Sequence, residues 1–423
     1  MCHDQSETIA FLRHAESYGL DGTVEVMETH ISLVFLIADR AFKLKRAVKF
    51  PYADFSTPAL RLACCLKEVE LNSKTAPELY LGVRRITRGA NGKLCFDATN
   101  ETIDAVVEMQ RFSQEHLFDK MAGAGQLTPT LMDTTARQIA KFHQTIAPVH
   151  ANSGSSNIEA VLDINERGFA TSHVFSGPEV QALCDAFRTV LEAYRKQLDC
   201  RETAGMIRRC HGDLHLRNIY LTEDGPRLFD CIEFNDQIAT VDVLYDLAFL
   251  LMDLWHRDLR DNANLVMNRY LDIAGDDEGI AVLPFFMALR AAVRAHVTAS
   301  QVELGAHKST SLRQEARSYF NLAIALLGPP PPLLIAIGGL SGSGKSTIAE
   351  ALAAHVGCAP GARIFESDRI RKAMFGVTAT EKLPNAAYRP EISDVVYKTL
   401  CEKAGAALTC RGSVIVDAVF DKP

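Results

Sequence analysis

Residues 211–221 read His-Gly-Asp-Leu-His-Leu-Arg-Asn-Ile-Tyr-Leu, and a second acidic residue, Asp230, closes the nearby tripeptide Leu-Phe-Asp. Asp213 stands five positions before Asn218, and the apolar run 219–221 is typical of a short strand. Carboxylate and amide oxygens are hard ligands of the kind that Mg²⁺ prefers. We therefore expect Asn218 and Asp230 to hold this cation, with Asp213 available as a base.

Asp213, Asn218 and Asp230 are the residue types that phosphoryl transfer requires. In this reaction the protein does little covalent chemistry itself and acts mainly by positioning the reactants and neutralising charge. Asp213 would accept the proton of a substrate hydroxyl, while Asn218 and Asp230 would hold Mg²⁺ against the triphosphate of ATP. The alternative is that Asp213 and Asn218 are turn residues that cap local structure.

The surrounding sequence predicts two lobes. Residues 24–27, 31–37 and 40–45 are rich in β-branched and aromatic residues and predict strands, as do 82–88, 93–97 and 102–110. A helix is expected over 59–76, and the pattern is mainly helical from 128 to 327. The chain thus predicts a small β-rich lobe over about 1–110 and a larger lobe over 111–327, together one domain of residues 1–327.

The motif His-Gly-Asp-Leu-His at 211–215 resembles the catalytic loop of the aminoglycoside phosphotransferase family, a branch of the protein-kinase-like fold, and the resemblance extends over residues 20–325. Protein kinases usually carry His-Arg-Asp, and Gly212 stands where that arginine would meet an activation-loop phosphate. The resemblance implies an α+β two-lobed kinase-like domain, ATP as donor, and a small-molecule hydroxyl as acceptor. Phrases such as Phe-Lys-Leu-Lys at 42–45 resemble a bacterial subgroup that fuses this domain to a P-loop domain.

The resemblance also implies a strand lysine paired with a helix glutamate. Lys43 and Lys45 both fit and would share one strand face, and we favour Lys43. Glu68 and Glu70 both fit on the predicted helix, and we favour Glu68. The alternatives are exposed, ordinary lysine and glutamate side chains.

The sequence lacks the glycine-rich loop that covers the phosphates in protein kinases. Residues 27–32 would take that place, through Thr29 and Ser32. Residues 108–111 would form the hinge that meets adenine through backbone groups.

A second phosphate site is predicted after Gly328 and the proline run 329–332, which together form a linker. Residues 333–338 predict a buried strand, 346–355 a helix and 413–417 another strand, an α/β pattern of a P-loop NTPase domain over 333–423. Backbone N–H groups of a glycine-rich loop would surround the phosphates, Lys345 would reach the β and γ phosphates, and Ser346 would ligate Mg²⁺. The residues of this predicted site are Gly339, Ser341, Gly342, Ser343, Gly344, Lys345, Ser346 and Thr347.

Asp368 and Arg371 are candidate catalytic residues of the P-loop domain. Their spacing resembles the acid–x–x–Arg of polynucleotide 5′-kinases and zeta-toxin-like kinases. An equal alternative is a solvated first helical turn. Asp417 is a candidate Mg²⁺ ligand through water or an ordinary strand-end carboxylate. Since such kinases usually have a longer domain with a lid, we expect this one to be incomplete.

Composition narrows the class of protein. The chain of 423 residues is 48% apolar, carries a net charge of −7, and has no basic block, which argues against nucleic acid as a partner. Its 11 cysteines include no Cys-x-x-Cys pair, which predicts reduced thiols in a cytoplasm. No apolar run is long enough for a membrane span, and the oligomeric state cannot be deduced.

Further alternatives concern side chains and function. His143 is expected in the core, and Asp242, Asp246 and Asp253 could form an acidic wall for a cationic acceptor. One other function is a P-loop kinase of nucleotide or nucleic-acid 5′-hydroxyls, motivated by Asp368 and Arg371. Another is a non-catalytic ATP-binding sensor.

Overall fold

The computed structural model describes residues 4–29, 31–50, 53–303, 309–377 and 381–420. By internal packing the chain falls into two compact units, each built from two stretches of sequence. Unit 1 comprises Met1–Gln126 and Arg209–Thr240, and unit 2 comprises Leu127–Arg208 and Val241–Pro423. The β-rich region thus packs with the segment around Asp213, and the P-loop region packs with the helices of unit 2. The domain division drawn from the sequence stays a prediction.

The helices of the described residues are α1 (Ser6–Leu12), α2 (Pro58–Asn72), α3 (Phe118–Gly123), α4 (Pro129–Thr145), α5 (Gly154–Ala170), α6 (Gly177–Thr203), α7 (Asp236–Ala239), α8 (Val243–His256), α9 (Arg260–Ala274), α10 (Leu283–Glu303), α11 (Ser309–Leu327), α12 (Lys345–Ala353), α13 (Ser367–Met374) and α14 (Pro390–Thr409).

The strands of the described residues are β1 (Glu25–Glu28), β2 (Ser32–Ile37), β3 (Arg40–Lys45), β4 (Lys49–Phe50), β5 (Ala53–Asp54), β6 (Tyr80–Arg88), β7 (Leu94–Phe96), β8 (Thr102–Gln110), β9 (Ile207–Arg209), β10 (Ile219–Thr222), β11 (Gly225–Leu228), β12 (Thr240–Asp242), β13 (Leu334–Gly338), β14 (Arg363–Glu366) and β15 (Val414–Ala418).

The main sheet of unit 1 has six antiparallel strands in the order β1-β2-β3-β8-β6-β7. Side chains alternate between the two faces of a strand, so β3 places Phe42 and Leu44 on one face and Lys43 and Lys45 on the other. Phe42 and Leu44 belong to an apolar core that also takes in residues of α1. On the opposite face α2 packs through Cys65. This packing places both lysines on the face that α2 covers.

Helix α2 has clear start and stop signals. The Thr57 hydroxyl accepts a hydrogen bond from the backbone N–H of Leu60, and Pro58 occupies the first turn, where its missing N–H is harmless. The helix ends at Asn72, four residues before the predicted end at 76. Asn72 donates its side-chain amide to the carbonyl of Glu68 and accepts the N–H of Cys231, so it serves as an anchor instead of continuing the helix.

The P-loop region contains a three-stranded parallel sheet in the order β13-β15-β14. The predicted strand–loop–helix order and the α/β class are therefore confirmed. In the sheet register Gly338 lies opposite Ala418, and Glu366 lies opposite Asp417. The carboxyl ends of all three strands consequently meet at one edge, where ligands of parallel α/β sheets bind.

Within unit 2, the P-loop region is held against α9 and the turn that follows it by buried polar groups. The guanidinium of Arg363, on β14, lies 2.8 Å from Asp272 and 2.8 Å from Asp277. The side-chain amide of Asn264 donates to the carbonyl oxygens of Pro360 and Ala362, both at 3.0 Å. Buried charges of this kind are tolerated only with partners, so each side of the contact depends on the other.

One stretch of the described residues, Asp277–Glu303, is long and apolar enough to cross a membrane by length and composition alone. Its most apolar window is 83% buried inside the protein, and α10 packs against α8 and α11. This burial is typical of a core helix.

We expect the substitution Arg363→Met to lower the free energy of unfolding by about 3 kcal/mol, because it removes a buried guanidinium that contacts both Asp272 and Asp277. Denaturant unfolding of the full chain measures this. The matched control is Arg260→Met on α9, whose ion pair with Asp258 is exposed and whose loss should change stability by less than about 0.5 kcal/mol. Equal effects of the two substitutions would show that the buried contact does not join the P-loop region to α9.

Candidate active site

Two lysines of β3 share one glutamate of α2. The Lys43 ammonium lies 2.8 Å from Glu68 Oε1, and the Lys45 ammonium lies 2.5 Å from Glu68 Oε2. Glu68 is fully buried, whereas Glu70 is exposed on the same helix. The structure therefore pairs Glu68, and not Glu70, with both of the lysines between which the sequence left a choice.

Each lysine also contacts a carboxylate from the segment that begins at Asp230. Lys43 lies 2.5 Å from Asp230 Oδ1, and Lys45 pairs with Glu233. Glu233 is a functional candidate that the sequence reasoning missed. Its spacing from Asp230 in the sequence does not show that it meets Lys45, because that pairing depends on how the segment packs against β3.

The charges of this cluster set one another's protonation. Burial raises the pKa of Glu68, but the ammonium groups of Lys43 and Lys45 outweigh it and lower that pKa to about 2. Burial lowers the pKa of Lys43, yet the carboxylates of Asp230 and Glu68 raise it well above its ordinary value. Burial raises the pKa of Glu233. Near neutral pH, Glu68 is therefore an anion held between two cations.

The segment 211–218 is a tight turn organised by its own side chains. The amide nitrogen of Asn218 donates to the backbone carbonyl and to the carboxylate Oδ2 of Asp213, both at 2.9 Å. His211 Nε2 lies 2.8 Å from the carbonyl of Phe229, so His211 orders this turn. Gly212 has a φ of +85°, and a Cβ there would come within 3.1 Å of Ile232. The local conformation therefore favours glycine, in place of the arginine of protein kinases.

A short hairpin carries Asn218 to Asp230. Strands β10 and β11 pair antiparallel with Ile219 opposite Leu228, and the N–H of Phe229 donates to the carbonyl of Asn218 at 3.0 Å. Asp230 follows with a φ of +61°, and its N–H donates to the Tyr80 hydroxyl at 3.1 Å. A positive φ at a residue other than glycine is strained and is concentrated at functional sites. Unit 1 thus brings Lys43, Glu68 and Asp230 together and joins Asp213 to Asn218.

The predicted phosphate cover is the β1–β2 hairpin. The Thr29 hydroxyl accepts the N–H of Ser32 at 2.9 Å, and Ser32 is buried opposite Lys45 in the sheet register. His30, between them, lies outside the described residues. At the predicted hinge, the N–H of Arg111 donates to the carbonyl of Asp39 at 2.8 Å. The roles of this hairpin and this hinge in nucleotide binding stay predictions.

The P-loop connects β13 to α12. Its glycines Gly342 and Gly344 have φ values of +79° and +85°, which open the backbone turn. Lys345 donates to the carbonyl of Leu340 at 2.8 Å. Ser346 Oγ lies 2.5 Å from Asp417 Oδ2 at the end of β15. The loop residues Gly339, Ser341 and Ser343 precede α12, and Thr347 lies in its first turn.

Asp368 and Arg371 lie on α13 but serve different contacts. Asp368 pairs with Lys372 at 2.8 Å, and its side chain is half exposed. Arg371 is buried and donates to the carbonyl of Ala387 at 2.6 Å. Its guanidinium thus anchors the segment before α14, which agrees poorly with a role in holding a transferring phosphate.

The sequence reasoning also missed Glu366, which lies at the same sheet edge as Asp417. Burial raises the pKa of Glu366, and its carboxylate lies 2.6 Å from Arg369 Nε. Its sequence signal is an acidic residue at the end of a strand, two positions before the predicted catalytic residue Asp368.

The proposed acidic wall does not exist as a set of available carboxylates. Each of the three side chains already contacts another group of the protein: Asp242 contacts Arg201, Asp246 contacts His143, and Asp253 contacts Arg257. His143 itself is buried and also contacts the Tyr270 hydroxyl at 2.8 Å, as expected of a core histidine.

Comparison with known protein families gives one match in each half of the chain. Residues 98–282 match the phosphotransferase enzyme family, and residues 334–422 match the AAA domain family. Uncharacterized proteins of Mycobacterium tuberculosis and Mycobacterium bovis are 29% identical over 415 residues, which covers 95% of this chain and 79% of each relative.

Two solved structures are similar to the chain at low identity. A choline/ethanolamine kinase family protein from Mesorhizobium loti is 14% identical with a TM-score of 0.48, covering 76% of this chain and 95% of its own. An amicoumacin kinase in complex with AMP-PNP, Ca²⁺ and Ami is 14% identical with a TM-score of 0.47, covering 75% and 93%.

We expect Glu68→Gln to weaken ATP binding by about tenfold to a hundredfold, because the Lys43 and Lys45 ammonium groups lose their shared counter-ion and no longer hold one position. Calorimetric titration with ATP measures the effect. It is done in a Lys345→Ala background, because this substitution weakens ATP binding at the predicted P-loop site. Glu70→Gln, an exposed neighbour on the same helix, is the matched control. Similar losses in both variants would contradict the role of Glu68.

Proposed function

We propose that this chain, a kinase-type phosphotransferase with a phosphotransferase-family domain and a P-loop domain, moves the γ-phosphoryl group of ATP to a hydroxyl of a small molecule. The observation that carries the proposal is the connected set in unit 1. Lys43 bridges Glu68 and Asp230, and Asn218 holds Asp213 in a turn that the β10–β11 hairpin joins to Asp230. All the residue types that this transfer needs lie in one compact unit.

The proposed chemistry is an in-line displacement. The acceptor oxygen forms a bond to the γ-phosphorus while the bond from that phosphorus to the β,γ-bridging oxygen breaks, and ADP leaves. Asp213 takes the proton of the attacking hydroxyl on its carboxylate. Lys43 contributes positive charge to the phosphates, and Glu68 keeps its ammonium group in place.

The donor set fits Mg²⁺. The amide nitrogen of Asn218 is engaged by Asp213, which leaves the Asn218 side-chain oxygen as the group for a cation. Asp230 supplies a carboxylate on a partly exposed side chain. Hard oxygen ligands from these two residues are what Mg²⁺ accepts, and the bound ion would neutralise charge on the phosphates.

The acceptor is proposed to be an aminoglycoside-like compound or an amino sugar. This rests on the His-Gly-Asp-Leu-His loop and on Gly212, which leaves no arginine to read an activation-loop phosphate. A fold does not name a substrate, so the acceptor needs its own test. We also propose a cytoplasmic location, which agrees with the free cysteines of the described residues.

The P-loop region is proposed as a second ATP site. Gly342 and Gly344 open the loop, α12 begins at Lys345, and Ser346 lies against Asp417. A helix N-terminus with backbone N–H groups and a hydroxyl beside a carboxylate suits phosphate and Mg²⁺.

A second candidate function is a P-loop kinase of nucleotide or nucleic-acid 5′-hydroxyls. Glu366 and Asp417 at one sheet edge favour it, since a buried carboxylate with a raised pKa can act as a base. Asp368 and Arg371 remain its catalytic candidates from the sequence. A non-catalytic ATP sensor is the third candidate, and ATP binding without transfer to any acceptor would favour it.

We expect Asp213→Asn to lower transfer of radiolabelled phosphate from ATP by about 10²-fold to 10⁴-fold while ATP affinity changes little, because only the proton acceptor is removed. A screen against aminoglycosides, amino sugars, nucleosides and oligonucleotides supplies the acceptor. Asp224→Asn, in the exposed β10–β11 turn, is the matched control. If transfer persists in Asp213→Asn and disappears in Lys345→Ala, the P-loop kinase is the correct function.

A further inference from the structure

Three carboxylates at every third position of one segment each contact a lysine of the β-rich part of unit 1. Asp230 pairs with Lys43, Glu233 with Lys45, and Asp236 with Lys67. We call these three ion pairs the carboxylate ladder. Lys43 and Lys45 come from β3, and Lys67 comes from α2, so the ladder joins one loop to both the sheet and the helix.

The middle pair of the ladder is buried and shares Glu68 with the first pair. Lys45 is 1% exposed and contacts both Glu68 and Glu233. Lys43 contacts the other oxygen of Glu68. Lys45 therefore holds the oxygen of Glu68 that Lys43 does not contact, and Glu233 holds Lys45.

The outer pair lies near the protein surface. Lys67 directly precedes Glu68 on α2, and Asp236 begins the short helix α7. The second oxygen of Asp236 accepts a hydrogen bond from Arg209 Nε at 3.0 Å, and Arg209 directly precedes Cys210 and the 211–218 turn. One carboxylate thus connects the helix that carries Glu68 to the start of the segment that carries Asp213.

A backbone contact runs parallel to the ladder. The N–H of Cys231 donates to the Asn72 side chain at 2.9 Å, at the end of α2. Four points of contact therefore fix the segment after Asp230 against α2 and β3. Since α2 and the segment are far apart in sequence, these contacts set their relative position within unit 1.

Binding of ATP and Mg²⁺ must change the contact of the first pair of the ladder, Lys43 with Asp230. If ATP and Mg²⁺ bind as in the proposed function, Lys43 turns its charge to the phosphates and Asp230 turns its carboxylate to the cation. Their 2.5 Å contact then weakens. In the proposed function, the other two pairs of the ladder contact neither the phosphates nor the cation. They can therefore keep α2 in place while Lys43 and Asp230 change partners.

We propose that Lys45, Glu233, Lys67 and Asp236 are positioning residues that hold Glu68 and the metal-binding segment in register for phosphoryl transfer. In protein kinases a phosphorylated activation loop controls the helix that carries the paired glutamate. Here the fixed carboxylate of Asp236 supplies the negative charge, so the arrangement is built into the chain without a modification. This inference rests on the proposed function.

The test is a double-mutant cycle at the outer pair, where the side chains are partly exposed and substitution leaves the fold intact. Full-length chains in a Lys345→Ala background carry Lys67→Met, Asp236→Asn or both, and calorimetry measures their affinity for ATP with Mg²⁺. We expect each single substitution to weaken ATP binding by about fivefold. The double variant should bind ATP no more weakly than the weaker single variant, because the contact that Lys67→Met removes is also removed by Asp236→Asn.

Two controls separate positioning from general stability. Lys67→Arg should restore ATP affinity, and Lys74→Met, an exposed lysine just beyond α2, should leave it unchanged. The melting temperature of the Lys67→Met variant should match that of its parent. Glu233→Gln, at the buried pair, should weaken ATP binding more than either outer substitution, by about thirtyfold.

The outcomes are distinguishable. Three outcomes would overturn the positioning role of the ladder and leave the proposed function standing. They are unchanged ATP affinity in Lys67→Met and Asp236→Asn, multiplicative losses in the double variant, and failure of Lys67→Arg to restore binding. If the Lys345→Ala parent itself binds no ATP, the proposed function of unit 1 is wrong, and the ladder's role in transfer is lost with it.

Discussion

The carboxylate of Glu68 lies between the ammonium groups of Lys43 and Lys45, with one oxygen facing each. A buried carboxylate is stable as an anion only with such partners, and the two lysines lower its pKa to about 2. The alternation of β3 presents both lysines to α2, and α2 in turn brings Glu68 to them. The rest of the site in unit 1 is arranged around this contact, because Asp230 and Glu233 join the same lysines.

The P-loop region depends on a comparable but separate constraint. The buried Arg363 contacts Asp272 and the buried Asp277, and Lys403 lies 2.7 Å from Asp277. These charges tie the parallel sheet to α9 and its following turn within unit 2. The loop that begins α12 therefore stands on a supported sheet, with Ser346 beside Asp417 at the carboxyl edge. Each proposed phosphate site thus has its own scaffold of paired charges.

Much of the fold could be predicted from the sequence, because strand alternation, the helical pattern from residue 59 and the proline run are local signals. The pairing of Glu68 with both lysines could not be predicted, since it depends on which face of β3 the helix covers. Glu233 was missed for the same reason. The spacing of Asp368 and Arg371 did not reveal the buried contact of Arg371 with the carbonyl of Ala387, and the catalytic role of both residues stays a prediction. These pairings depend on tertiary contacts, which a local sequence pattern does not specify.

In the proposed function, Lys43 contacts the phosphates of ATP in unit 1, independently of the P-loop. An acyl-phosphate derivative of ATP transfers its acyl group to a lysine amine beside the bound phosphates, and peptide mass spectrometry identifies that lysine. We expect acylation of Lys43, with Lys45 unmodified, in both the native chain and Lys345→Ala, and we expect added ATP to prevent it. Acylation of Lys345 with no ATP-protected modification of Lys43 would contradict this expectation.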